Sequence, residues 1–349
     1  MIENIRMHNQ QLASPDFKCP KALVAWMGAI QAQDYPMSKW AVGSRLQLGC
    51  LQTIDEALKR GEILRTHVLR PTWHLVAAED IRWMLKLSAR RIKSAYVSSA
   101  KVHRLDITEK QYGQFNDLIL RILEGNKSLT KQEIETQINQ RGIKTVEPLI
   151  RRLIGNSEIE GVICSGVDKD NKPTYALLDE RVPQVADIHK EEALARLAGR
   201  YFQSHSPASL ADFAWWSGLS LTEAKQAIGL IKSELITGSD NLFVHESCKE
   251  VIPLQNDILH LLSSFDEYLI SYKDRTAVLD LEYHPKAFNR FGTFYPVILY
   301  NGKVIGNWSK TVKKGQIIIE TTFFDPKYRI SRELIEKAEN RYKNFISNQ

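Results

Sequence analysis

One order of elements recurs along this chain: three helices, then two strands joined by a polar turn. It is clearest at 111–184. From Tyr112 to Leu123, Phe115, Leu118, Ile119, Ile122 and Leu123 fall at helical spacing, and Gly125-Asn126 ends the run. Thr130 ahead of Lys131, Gln132 and Glu133 is a capping box that predicts a helix through Gln140, with Gly142 as its breaker. A third helix is predicted from about Thr145 to Asn156, with Leu149, Ile150, Leu153 and Ile154 inward. GVICSG and PTYALLD then read as two strands across a polar tip, Asp168 to Lys172.

The order repeats at 185–257. Glu191 to Gln203 reads as a helix, Ser209 caps Leu210 to Trp216 ahead of Gly218, and Thr222 to Glu234 reads as a third helix. Strands LITGS and NLFVHE follow, joined at Asp240. A looser version opens the chain: helices at Lys21 to Gln31, Met37 to Leu46 and Ile54 to Lys59, then strands ILRTHVL and TWHLVA about Arg70-Pro71. Three helices and a hairpin describe the winged helix, a helix-turn-helix variant. Residues 258–349 differ. Phe265 to Leu281, Tyr295 to Leu299, Lys303 to Trp308 and Gln316 to Phe323 read as strands, Asn301-Gly302 is a hairpin turn, and Ser331 to about Ile346 is an amphipathic helix. The expected class is therefore α+β, mainly α: winged-helix units at 1–110, 111–184 and 185–257, and a small antiparallel sheet or barrel with a terminal helix at 258–349.

Charge is uneven. Residues 1–110 hold 17 Lys/Arg against 10 Asp/Glu, and residues 258–349 hold 14 against 10, whereas residues 185–257 hold 6 against 10. A polyanion partner is expected at the two basic ends, although charge alone is equally a solvated surface. No apolar run approaches the roughly 18 residues of a membrane span, and the polar start MIENIRMHNQQ lacks a signal-peptide core. Cys19, Cys50, Cys164 and Cys248 are far apart, which fits reduced thiols in a cytoplasmic protein.

Walker A, GxGxxG, HExxH and GxSxG patterns are all missing, and His189, His205, His245, His260 and His284 show no metal-ligand spacing. No cofactor or metal is expected. Two segments stand out. In Gly28-Ala-Ile-Gln31-Ala-Gln33-Asp34-Tyr35-Pro36, two glutamines end an apolar helix just before a helix-breaking proline. They can line a cleft, or simply cap carbonyls or face solvent. In Arg65-Thr-His-Val-Leu-Arg70-Pro71-Thr72-Trp73-His74, strand alternation puts Thr72 and His74 on one face and Trp73 on the other. A Thr/His pair beside a basic turn can hold a phosphate or a water; a surface strand with Trp73 in the core is the alternative.

The order IQAQDYP, WAVGSRL, LRTHVLRPTWHLV, with LLSSFDEYLISYKDR and NGKVIGNWSK further on, resembles the YcaQ/AlkZ group of bacterial DNA glycosylases, also described as winged-helix DNA-binding proteins. The Gln-apolar-Gln motif maps onto Gln31-Ala32-Gln33. A related branch has Asp at the second position, so Gln33 places the resemblance on the AlkZ side. The Thr-apolar-His motif maps onto Thr72-Trp73-His74, with two departures: Gly is expected where Pro71 stands and a smaller aliphatic residue where Trp73 stands.

The resemblance implies a monofunctional DNA glycosylase that hydrolyses the sugar bond of N7-alkylated purines in double-stranded DNA; some members of the group unhook bulky adducts or interstrand crosslinks. Gln31 and Gln33 would be catalytic, with Thr72, His74, Arg70 and Arg65 supporting them or contacting DNA. A monomer acting in the cytoplasm, at the nucleoid, is expected. A non-enzymatic winged-helix regulator and a protein-binding scaffold remain as alternatives.

Overall fold

Short polar residues set three ahead of an acid or amide start four helices. Thr108 with Gln111, Thr130 with Glu133, Ser209 with Asp212 and Ser220 with Glu223 all form reciprocal capping boxes. Thr130 and Ser209 cap where the sequence predicts. Thr108 and Ser220 start their helices slightly ahead of the expected Tyr112 and Thr222.

The computed structural model describes residues 2–102, 107–143, 147–248 and 257–347; Thr145, the expected start of one helix, lies outside them. The chain mixes helices with small antiparallel sheets. It divides into two compact units, Met1–Asp55 with Leu194–Gln349, and Glu56–Ala193. These boundaries fall inside 1–110 and 185–257, so compact units and repeated helix–hairpin segments are different partitions of the chain. Among the described residues no helix is long and apolar enough to cross a membrane.

In the unit Glu56–Ala193, strands Ile63–His67 and Trp73–Ala77 pair antiparallel, Thr66 opposite His74 and His67 opposite Trp73. The hairpin feeds Ala78–Val102, a 25-residue helix that the sequence reading left unassigned. Its buried Ile81, Met84, Leu85 and Ile92 sit at helical spacing. Helices Glu109–Leu123, Lys131–Gln140 and Glu147–Ile159 and strands Ile163–Ser165 and Tyr175–Leu177 follow. They close over Phe115, Ile119, Ile122, Ile134, Ile138, Ile150 and Ile163.

In the unit Met1–Asp55 with Leu194–Gln349, four strands form an antiparallel sheet in the order Gln316–Phe323, Lys303–Lys313, Val297–Tyr300, Leu259–Leu262. Asn301 and Gly302 turn the central hairpin with φ of 46° and 84°. The C-terminal helix Arg332–Ser347 packs on Leu259–Leu262. Trp40 and Trp308 donate their indole N–H groups to the Leu261 and Leu262 carbonyls at 2.6 and 2.7 Å. The expected strand from Phe265 to Leu281 is absent. Asp266 instead caps a helical turn, Glu267–Ile270, by accepting from the Tyr268 N–H at 3.0 Å, and the strand lies just upstream at Leu259–Leu262.

The helix expected from Lys21 to Gln31 also differs. It runs Pro20–Met27 and stops because Gly28 takes φ 76°, a conformation that suits glycine. Pro36 does not terminate a helix either. It lies in the first turn of Tyr35–Gly43, where its missing N–H has no helical partner to lose.

Candidate active site

Between those two helices, Ile30–Gln31 is extended and Gln33-Asp34 forms a turn. The glutamines therefore sit on a short connector, not on a helix end. Gln31 is 3% exposed and Gln33 is exposed. The Gln31 side-chain oxygen accepts the Gln33 backbone N–H at 2.7 Å. Asp34 then caps the next helix, accepting from the Met37 N–H at 3.2 Å. Two adjacent side chains thus fix the turn that carries Gln33.

The underside of this turn is polar. Glu267, 1% exposed, accepts the Gln31 backbone N–H at 2.6 Å, and the Ser264 hydroxyl donates to Asp34 at 2.7 Å. Asp266, also buried, receives a bidentate Arg45 guanidinium at 2.6 and 3.1 Å and the Ser263 hydroxyl at 2.9 Å. The segment Ser263–Ser271 is the part of this site that motif spacing missed. Its signal was a run of acids and hydroxyls, SSFDEYLIS, inside an apolar context.

Arg65, Arg70, Thr72 and His74 belong to the hairpin of the other compact unit. His74 is fully buried, and its Nδ1 donates to the Thr72 carbonyl oxygen at 3.0 Å. Strand alternation does not pair Thr72 with His74, because the strand begins at Trp73; the residue directly opposite His74 is Thr66. Trp73 is half-buried. Arg65 stacks over its ring at 4.2 Å, and His67, held by Glu158 at 3.0 Å, lies 4.5 Å from it between ring centroids. Arg70 is half-exposed beside exposed Pro71 at the tip.

A second surface escaped the motif reading. Beyond Asn307 the central strand pairs only with Gln316–Phe323, so a two-stranded ribbon extends past the sheet. Its exposed end carries Lys313 and Lys314, while Lys310, farther in, donates to the Tyr342 hydroxyl.

A neutral acceptor on a hydrogen-bonded turn, with the buried Glu267 carboxyl beneath it, suits a reaction that develops positive charge without needing a titrating base. Comparison with known proteins decides the family. The family model "DNA glycosylase AlkZ-like" matches residues 24–345. The chain belongs to the AlkZ-like DNA glycosylase family. Its fold is similar to that of Streptomyces sahachiroi DNA glycosylase AlkZ, with a TM-score of 0.78 at 20% identity over 99% of this chain and 95% of that one. No curated protein matches the sequence. Membership spans both compact units and includes the glutamine turn, the hairpin and the ribbon.

Proposed function

We propose that this AlkZ-like protein is a monofunctional glycosylase that hydrolyses the N-glycosidic bond of N7-alkylated purines in duplex DNA and leaves an abasic site. The observation that carries the reading is the exposed Gln33 amide on a turn fixed by Gln31 and Asp34.

N7 alkylation makes the purine cationic and therefore a good leaving group. Its departure needs no proton from the protein. It leaves a neutral base and an oxocarbenium-like sugar. The protein must hold a water and present negative potential to that sugar. A glutamine carbonyl oxygen does both at any working pH, because it does not titrate. Unmodified purines, poor leaving groups without protonation, would be poor substrates. Bulky adducts and interstrand crosslinks belong to the same chemistry, since the scissile bond is unchanged.

DNA contact is proposed for the basic hairpin tip at Arg70, with Arg65 and His74 shaping its base, and for the lysine-bearing ribbon. The segments 111–184 and 185–257 we read as winged helices, each a trio of helices, two of them started by capping boxes, followed by a short antiparallel hairpin. The deciding experiment is incubation with duplex DNA containing N7-methylguanine, followed by alkaline cleavage at abasic sites. Strand breaks at the lesion support the reading. Binding with no breaks at any enzyme excess returns the protein to a non-enzymatic DNA binder.

A further inference from the structure

The neutral glutamine pair is backed by a charge 236 residues away in sequence. Glu267 Oε1 accepts the Gln31 backbone N–H at 2.6 Å. Its Oε2 accepts the Trp216 indole N–H at 3.2 Å and the Ser271 hydroxyl. His205 Nε2 lies 3.8 Å from the same oxygen, beyond hydrogen-bond reach. Burial pushes the His205 imidazole below its ordinary range, against the pull of Glu267. Upstream, Ser264 grips Asp34 at 2.7 Å. Between the two grips Phe265 holds φ 54°, a strained conformation for an aromatic residue, imposed by its surroundings.

We propose that Glu267 is a positioning residue for glycosidic-bond hydrolysis: its carboxylate anchors the Gln31 backbone, thereby sets the turn that carries Gln33, and leaves a buried negative charge behind the pair. The inference rests on reading the two glutamines as the reacting pair. An amide oxygen alone is a weak source of negative potential. A fixed anion in a low-dielectric interior acts over a longer range, and it requires no reorganisation as the sugar becomes cationic. Donors from Gln31, Trp216 and Ser271 offset the desolvation of that anion.

Glu267→Gln retains an acceptor for the Gln31 N–H, removes the charge and turns an NH₂ group towards the Trp216 indole N–H; Glu267→Ala removes acceptor and charge. The measurements are single-turnover excision of N7-methylguanine at saturating enzyme, DNA affinity by fluorescence anisotropy, and hydrogen exchange of the Gln31 and Gln33 amides. Glu267→Gln should slow excision about tenfold, with affinity and exchange at the Gln31 and Gln33 amides unchanged, and with a lower melting temperature because its NH₂ faces the Trp216 indole N–H. Glu267→Ala should slow it by on the order of 10²–10³ and accelerate exchange at both amides. Adding Glu267→Gln to Gln33→Ala should slow excision by less than Glu267→Gln does alone, because both act on the same developing charge. A wild-type rate in folded Glu267→Gln, beside a slow Gln33→Ala, overturns this inference and leaves the glutamine reading intact. A wild-type rate in Gln33→Ala overturns both. Loss of DNA affinity or faster exchange at the Gln31 amide, in parallel with loss of rate in Glu267→Gln, marks a purely structural carboxylate and also overturns it. The isosteric variant carries the test if Glu267→Ala does not fold.

Discussion

The Gln31 side-chain oxygen holds the Gln33 backbone N–H at 2.7 Å, so the two glutamines of one motif have different surroundings. Gln31 is buried and shapes the turn; Gln33 is exposed at its end. Their alanine variants should differ accordingly. Gln33→Ala should lower the single-turnover rate by on the order of 10²–10³ with no change in melting temperature. Gln31→Ala should lower both, because it also removes a part-buried hydrogen bond worth about 0.5–1.5 kcal/mol and leaves a void. Excision kinetics and thermal melts on the same preparations check this. Equal melting temperatures in both variants would contradict the division of labour.

Asp266 is the structural neighbour of this site. It is 2% exposed and takes both nitrogens of a fully buried Arg45, which also reaches Gln10 at 3.1 Å. Asp266→Ala leaves that guanidinium buried without its counter-charge and should cost about 3–5 kcal/mol in urea denaturation. Asp266→Asn, which keeps an acceptor, should cost less. A loss below about 1 kcal/mol for Asp266→Ala would show that the guanidinium regains solvent in the variant.

Several features were legible because they are local. Thr130 and Ser209 cap their helices through residues three positions on, and Asn301-Gly302 turns a hairpin through its own backbone angles. The glutamine motif was legible as a family pattern, but its setting was not. Gly28 sits inside an apolar helical run, and only its positive φ shows that the helix ends before the motif. Glu267 lay in a run that reads as strand by composition, since Tyr268, Leu269 and Ile270 are buried as a strand would bury them. What turns that run into a helical turn is Asp266, through a cap reinforced by a distant arginine. Contacts of such sequence separation leave no spacing signal. The Ala78–Val102 helix is a different case: its apolar period was present in the sequence, without a breaker to mark it off from the preceding strand.

Stability should fall on mild acidification. His260 is buried, its Nε2 donates to the Leu12 carbonyl at 2.8 Å, and Arg341 lies 3.2 Å from its Nδ1. Burial, with the guanidinium adding to it, pushes its pKa down to about 3. The folded ring stays neutral while the unfolded one protonates below about pH 6.5. Stability is therefore fully present above pH 6.5 and is lost as pH falls towards 3, by about 1.4 kcal/mol per unit at most from this group. His205, also lowered by burial, acts in the same direction. Between pH 6.5 and 5.5 the carboxylates that the fold lowers, Glu3 and Glu160 among them, stay ionised in both states, so urea midpoints there isolate the histidines. His260→Asn should flatten the slope; an unchanged slope would remove His260 from the effect.

DNA binding should weaken steeply with salt and show little sequence preference. With roughly four to eight phosphates contacted, log K should fall against log salt with a slope of about −4 to −7. Arg70→Glu at the hairpin tip and Lys313→Glu or Lys314→Glu on the ribbon should each flatten it by about one. Lys232→Glu, in the acidic 185–257 segment, should not. A slope near zero in the wild type would favour a protein-binding scaffold over a DNA-acting enzyme.

Gln33→Glu separates the two chemical roles that an amide can play. If the carbonyl oxygen serves the reaction, by holding water and facing the cationic sugar, a carboxylate keeps the acceptor and adds charge of the favourable sign. Activity should then persist well above that of Gln33→Ala. If the NH₂ group serves instead, by donating to a phosphate or to the adduct, the carboxylate loses both donors and repels a phosphate, and Glu should be as poor as Ala or worse. Gln33 is exposed at the end of a turn whose backbone is held by Gln31 and Asp34, so the substitution leaves the turn itself intact. The expected result is partial activity that falls again at acidic pH, as the new carboxyl protonates near its ordinary pKa of about 4.3. Single-turnover excision of N7-methylguanine from pH 4.5 to 8, with circular dichroism to confirm folding, measures both. A Glu variant no faster than Ala across that range would assign the work to the amide donors and leave the sugar cation to be stabilised by the carboxylates behind the turn.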